Sequence, residues 1–217
     1  MSFNYDIEGE LTCKVNGSGS FIAKKGSMVA YKGDFKFDKM LMGPNNGNGI
    51  LGGLLGQAAR KLTKENIELM KVTGNGILYL AENAAHILVI NLDNDELCIE
   101  SENLLGFDEQ LKYEVRFIGV GAISQKGLAT SCLKGTGRVI IKAQGNPIVL
   151  ESPCVVDPDA VVAWTGDRDP RIKTDVSWKT FIGQTSGESY QLDFNWSGAT
   201  VIVQPCERYG NSLTILD

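Results

Sequence analysis

A Gly-x-Gly step followed by a run of apolar residues recurs along this chain and constrains its fold more than any other feature. Three copies and a degenerate fourth are present: Gly17-Ser18-Gly19, Gly74-Asn75-Gly76, Gly135-Thr136-Gly137 and Ser197-Gly198-Ala199. Successive copies, measured between glycines 17, 74, 135 and 198, are separated by 57, 61 and 63 residues. Self-similarity at a nearly fixed period indicates that one structural unit was copied.

Each Gly-x-Gly step leads into one strand-like run and then, after a polar turn, into a second. The turns contain Lys24-Lys25-Gly26, Glu82-Asn83 and Gln144-Gly145-Asn146-Pro147. Gly, Asn and Pro favour reverse turns, so each pair of runs is predicted to form a β-hairpin. Helical period is almost absent outside residues 50–69, and this leaves an all-β fold.

A third strand-like segment follows in the second and third copies, from Cys98 to Phe107 and from Cys154 to Trp164. The two segments align with one gap, and each closes on a small residue plus an aromatic. A unit this small cannot bury its own apolar face, so the copies should pack around a pseudo-threefold axis. We predict a single all-β domain over residues 1–217, a β-roll resembling a double-stranded β-helix. Its internal pseudo-repeats lie at about 11–66, 67–127 and 128–191, with a closing fragment at 192–217.

Charge and cysteine content limit which partners and which cellular compartment are expected for this protein. The chain has 21 Lys and Arg against 26 Asp and Glu, a net charge of −5, which gives no global positive field for nucleic acid. No basic leader precedes an apolar stretch, and no apolar run is long enough to span a membrane, so a cytoplasmic protein is predicted. The five cysteines form no Cys-x-x-Cys pair and are predicted to be free thiols in a reducing compartment, four of them as small buried hydrophobes in strands: Cys13, Cys98, Cys132 and Cys154, with Cys206 the fifth.

The sequence offers no residue set for catalysis, a cofactor or a metal. The one histidine, His86, begins an apolar strand, and no second histidine could complete a metal pair. The acidic cluster from Asp93 to Glu96 is typical of a solvated turn. A second charged stretch, from Asp157 through Asp169, is predicted to form a structural ion-pair corner, so the chain is predicted not to be an enzyme.

Four segments resemble a known family: Gly26 to Tyr31, Gly74 to Leu80, Gly135 to Gly137 and Val156 to Trp164. They are similar to the altered inheritance of mitochondria family, its twenty-fourth named member, formerly a domain of unknown function. The resemblance covers most of residues 10–205 and implies a fold similar to the trp RNA-binding attenuation protein. It also implies no assigned activity for bacterial members and a link to inner-membrane organisation for the mitochondrial branch.

The fold implied by this resemblance raises RNA binding as an alternative. Single-stranded RNA is bound by basic residues along a groove and by stacking aromatics. A repeat protein that binds RNA as a ring should carry its RNA-contacting residues at the same position of each copy. The candidate basic residues do not recur in this way: Lys24, Lys25, Arg60, Lys61, Lys64 and Lys71. Nucleic acid is therefore an unfavoured partner.

These observations favour a non-enzymatic binding or scaffolding protein, with an RNA-binding module or an enzyme with an unrecognised site as alternatives. An open β-roll leaves unpaired strand edges, which predicts a homo-oligomer, with a trimer as the first choice. Residues 47–62 carry an apolar stripe at helical spacing next to basic residues. This stripe either caps the core or contacts a membrane surface or a protein partner through Ile50, Leu51, Leu54, Leu55, Arg60 and Lys61.

Overall fold

The computed structural model describes residues 3–40, 68–118, 128–174 and 190–208, and these residues form antiparallel β-sheet. The all-β prediction is confirmed. One 3-10 helix, Ser101–Asn103, is present, and no helix in the described ranges has the length and apolar character needed to cross a membrane. The strands are β1 Asn4–Glu8, β2 Thr12–Lys24, β3 Met28–Met40, β4 Leu69–Leu80, β5 His86–Glu100, β6 Leu104–Asp108, β7 Lys112–Ile118, β8 Leu128–Ala143, β9 Ile148–Glu151, β10 Cys154–Val156, β11 Val161–Thr165, β12 Arg171–Thr174, β13 Tyr190–Phe194 and β14 Thr200–Val203.

Two sheets account for these strands. The large sheet runs in the order β3-β4-β2-β6-β8-β5-β11-β14-β9, with β1 added on β2 and β7 added on β8. The small sheet has the order β10-β13-β12. Strands β3 and β9 therefore end the large sheet, in the part of the chain that the structure describes.

The predicted hairpins are wrong. Strand β4 lies between β2 and β3, β4 does not pair with β5, and β8 does not pair with β9. The second strand of each copy instead pairs with the first strand of the next copy: β3 with β4, β5 with β8, and β9 with β14. A turn signal specifies that the chain reverses but not which strand takes the neighbouring place, and β4 satisfies backbone groups of both β2 and β3 along its length.

Strands β2 and β8 change neighbours on one edge near their glycines. The first part of β2 pairs with β1 and a later part with β6, while β8 pairs first with β7 and then with β6. Gly17 has a φ of 133° and Gly135 a φ of 129°, a region that L residues rarely adopt. Glycine thus allows one long strand to pair with two different strands along the same edge.

Glycine also permits close backbone contact between β3 and β4. Gly33 lies directly opposite Gly76, and Gly74 lies opposite Phe35. A Cβ atom on Gly76 would meet the carbonyl oxygen of Lys32 and would lie 2.9 Å from the Cα atom of Gly33. Glycine at these positions therefore permits the close packing of the two strands.

Among the described residues, three apolar clusters form the core, and the third positions the candidate site. It is centred on Trp164, which is fully buried, with its ring centroid 5.6 Å from that of Phe194. Cys98 and Cys132 belong to the same cluster. The side chains on this face of β5 and β8 are therefore held by packing on β11 and on the small sheet.

We expect Gly76→Ala to destabilise the fold by about 3 kcal/mol, because it combines a positive φ of 141° with a backbone clash. The matched control is Gly26→Ala, where φ is 87° but a Cβ meets no atom within 4 Å. The control should cost about 1 kcal/mol, from backbone conformation alone. Urea unfolding of the two variants checks this, and equal losses would contradict the steric argument.

Candidate functional site

Strands β5, β8 and β7 lie side by side and present one polar face. Residues directly opposite in an antiparallel pair share a face, and alternate residues along a strand do the same. The register therefore gives three rows across the strands: Glu96, Lys134 and Lys112; Cys98, Cys132 and Glu114; and Glu100, Thr130 and Arg116. We call these nine residues the cysteine face.

Cys98 and Cys132 form a disulfide at the centre of the cysteine face. Their Cα atoms are 4.1 Å apart, and both side chains are buried. The prediction that both are free thiols is wrong, because β5–β8 pairing brings together two cysteines that are 34 positions apart in sequence. Cys13, Cys154 and Cys206 remain free, and Cys13 is buried in β2 as expected.

The carboxylate of Glu96 is buried beside this disulfide and held by two basic side chains. Arg116 Nη2 donates to Glu96 Oε1 at 2.7 Å, and Lys134 Nζ lies 3.1 Å from Glu96 Oε2. The predicted solvated turn at Asp93–Glu96 is wrong. The four residues lie within β5, where a register shift between Leu92 and Asp95 and a φ of 54° at Asn94 form a bulge rather than a chain reversal.

Arg116 links further carboxylates to the cysteine face. Its Nε donates to Glu114 Oε1 at 3.0 Å, and its Nη1 lies 4.0 Å from Asp169 Oδ1 and 3.7 Å from Cys98 Sγ. Burial would lower the pKa of Arg116, but the carboxylates of Glu114 and Glu96 hold that pKa above its usual value. Burial raises the pKa of Asp169, with the charge of Arg116 opposing the increase.

The acidic stretch from Asp157 to Asp169 divides into two structural roles. Asp157 Oδ1 accepts from the backbone N–H of Asp159 at 2.7 Å, which is a turn contact. Asp169 makes the predicted ion pair, but with Arg116 of β7 rather than with a neighbour in sequence. The carbonyl of Arg168 accepts from Trp164 Nε1 at 3.0 Å and so fixes the buried indole.

The cysteine face brings together residue types that ligate metal ions when the two cysteines are reduced. The Sγ atoms of Cys98 and Cys132 and a carboxylate oxygen of Glu96 all lie within 4.8 Å of one another. Within the described ranges, no other group of three or more His, Cys, Asp or Glu ligands is this compact. The alternation Glu96-Leu97-Cys98 signals a shared face, but only the strand register adds Cys132.

The other candidate residues take structural positions. Lys24 Nζ lies 2.8 Å from Glu82, Lys71 Nζ lies 2.5 Å from Glu109, and Lys25 pairs with Glu68. These pairings with carboxylates weigh against the RNA-binding alternative. Arg60, Lys61 and Lys64 lie outside the described residues, as do Ile50, Leu51, Leu54 and Leu55.

His86 begins β5 and contacts Glu10. Its Nε2 lies 3.4 Å from Glu10 Oε2, and its buried Nδ1 has no hydrogen-bond partner among the described residues.

A surface groove of about 530 Å³ lies near Arg208, whose Nη1 donates to the carbonyl of Val161 at 2.7 Å. That guanidinium fastens the chain after β14 to the turn before β11.

Comparison with known proteins gives one family and one fold. Residues 5–206 match the family described as Mitochondrial biogenesis AIM24. A crystal structure of a Streptococcus pyogenes protein superposes with a TM-score of 0.67 at 20% identity, covering 94% of this chain and 93% of that one. At this identity the likeness concerns the fold alone. No curated protein matches the chain.

We expect Arg116→Met to destabilise the protein by about 2–4 kcal/mol, because Glu96 would lose the closer and more buried of its two basic partners. The matched change Lys134→Met removes the other partner of the same carboxylate. The Lys134 side chain is 61% exposed, so that variant should lose less than about 1 kcal/mol. Chemical unfolding measures both, and a larger loss for Lys134→Met would contradict the assignment.

Proposed function

The chain belongs to the Mitochondrial biogenesis AIM24 family, and we propose that it is a binding or scaffolding protein, not an enzyme, that assembles through an open sheet edge. The observation that carries this proposal is strand β3. Its thirteen residues end the large sheet, and its outer edge has no strand partner among the described residues. A long unpaired edge offers backbone donors and acceptors to another strand.

Strand β3 also has the side-chain pattern of a self-complementary edge. One of its faces reads Lys32, Asp34, Lys36, Asp38, all exposed. Antiparallel pairing of two copies about a twofold axis at Phe35 sets Lys32 opposite Asp38 of the second copy and Asp34 opposite Lys36. Every such charge then meets an opposite charge, which stabilises that register.

The other face of β3 carries apolar side chains to the sheet edge. The ring centroid of Tyr31 lies 5.6 Å from that of Phe37, and Tyr31 remains 49% exposed. In the same twofold register, Phe37 of one copy lies opposite Gly33 of the other, where its ring can cover the glycine. Exposed apolar surface on Val29 and Tyr31 supports burial against a second copy.

The lengths of the edge strands favour a twofold pair over the expected trimer. A ring of three would join β3 of one copy to β9 at the opposite end of the next sheet. Strand β9 has four residues, whereas β3 has thirteen. Pairing β3 with itself satisfies more backbone groups than pairing it with β9.

We further propose that the chain is one cytoplasmic domain of three pseudo-repeats, with a β-roll like that of the trp RNA-binding attenuation protein. Supporting this, the third strand of one copy meets the first strand of the next in a recurring register. Strand β6 pairs with β8, and β11 pairs with β14, each with a shift after its first paired residue. These shifts follow Leu104 and Val161, which align in the sequence repeat.

We predict that the native chain dimerises at micromolar concentration and that Asp34→Lys weakens dimerisation at least about tenfold, because two symmetry-related attractive pairs become repulsive. The double variant Asp34→Lys with Lys36→Asp restores opposite charges in the twofold register and should recover native affinity. Sedimentation equilibrium gives the mass and the dissociation constant. A native monomer or trimer, or a double variant as weak as the single one, would refute this register.

Membrane or partner contact through the apolar stripe of residues 47–62 is a second candidate function. Met40 of β3 pairs with Leu69 of β4, so the chain leaves and re-enters the sheet at one end of the β3–β4 pair. An insertion joined at adjacent strand ends can vary without disturbing the ladder. The stripe itself lies outside the described residues.

We predict that the native chain floats with liposomes containing anionic phospholipid and that Leu51→Asp with Leu55→Asp abolishes flotation, because apolar burial is lost. The control is Ile148→Asp with Val149→Asp, which changes two apolar residues that are 48% and 59% exposed on β9. The control should float as the native chain does. Failure of the native chain to float would exclude membrane contact.

A further inference from the structure

We propose that the reduced form of this protein binds one zinc-class divalent ion on the cysteine face, ligated by Cys98, Cys132 and Glu96. The disulfide and the metal site are alternative states of the same two sulfur atoms. The site therefore loads only under reducing conditions.

The backbone already holds the three ligands at suitable spacing. Cys98 and Cys132 lie opposite each other on β5 and β8, with Cα atoms 4.1 Å apart, and Glu96 is two residues before Cys98 on the same face. Tetrahedral bonds of about 2.3 Å place two zinc thiolates about 3.8 Å apart. Rotation of two side chains from the disulfide reaches this separation without moving either strand.

The basic partners of Glu96 hold its carboxylate in one orientation, as is typical of a metal ligand. Ligating carboxylates are themselves hydrogen-bonded in protein metal sites. Arg116 and Lys134 each contact a different oxygen of Glu96, at 2.7 Å and 3.1 Å. Each oxygen has a second lone pair, so one can bind the ion while its basic neighbour continues to orient the carboxylate.

Local charge favours a cation once the disulfide is reduced. The side chains joined by these ion pairs comprise three carboxylates, Glu96, Glu114 and Asp169, and two bases, Arg116 and Lys134. Two thiolates would bring the sum of these charges to three negative. A divalent ion compensates most of that charge, and thiolates select zinc-class ions over magnesium or calcium.

The switch between states needs a two-electron reductant, and exchange with a dithiol balances it as follows. A dithiol reductant gives two electrons and two protons, the Cys98–Cys132 bond breaks, each sulfur becomes a thiol, and the reductant becomes its own disulfide. Metal binding then releases both thiol protons to solvent. The exposed side chain of Lys134 contacts Glu96, so this side of the site lies next to solvent.

The test uses the full chain, reduced with a phosphine and kept free of oxygen, with Co²⁺ as the spectroscopic probe. We expect one ion per chain, a thiolate-to-cobalt charge-transfer band, about two protons released per ion, and displacement of cobalt by Zn²⁺. The oxidised chain should give no band. Absence of the band in the reduced chain, or an equal band in the oxidised chain, would overturn the proposal.

Matched variants identify the ligands. Cys98→Ser should abolish the charge-transfer band, while Cys206→Ser, which changes an exposed free cysteine, should leave it unchanged. Glu96→Gln keeps both cysteines and should weaken binding at least about tenfold, so it tests the site even if Cys98→Ser does not fold. Native affinity in Glu96→Gln, or loss of the band in Cys206→Ser, would overturn this ligand set.

Discussion

The pairing of β8 on both edges is the constraint on which the rest of the structure depends. A sixteen-residue strand carries many backbone donors and acceptors, and buried ones must be paired. Strand β5 follows one edge of β8, while β7 and then β6 occupy the other. Gly135 and Gly137 lie where the second edge changes neighbour, so they let a single strand link both halves of the sheet.

The cysteine face is a consequence of this pairing. Fixing β5 and β7 against β8 sets Cys98 opposite Cys132 and brings Arg116 to Glu96. The buried carboxylate of Glu96 is stable only when paired, and Arg116 supplies that pairing while it also contacts the more exposed Glu114 and Asp169. Trp164 packs beside Cys98 from β11 and excludes water from the same region.

The sequence predicted the elements well and their neighbours poorly. The apolar runs after each Gly-x-Gly step correctly placed β2, β4 and β8, because the strand preference of β-branched residues is a local property. Strand neighbours depend on contacts between distant residues, so the hairpins were wrong and the Cys98–Cys132 bond was missed. The Asp93–Glu96 segment was wrongly predicted as a turn for a related reason, since a β-bulge and a turn use the same residue types.

The charges of β3 differ in kind from those of the interior. Edge strands that avoid association commonly carry lysine, since like charges repel an approaching copy. Alternating signs have the opposite effect in an antiparallel twofold pair, where Lys32 meets Asp38 and Asp34 meets Lys36. Within one copy, Lys36 and Asp38 pair at 2.8 Å with both side chains largely exposed, an interaction of little strength. Exchange of that weak pair for cross-strand pairs would favour the proposed association, in which the strand that ends the sheet of one copy would pair with the same strand of a second copy.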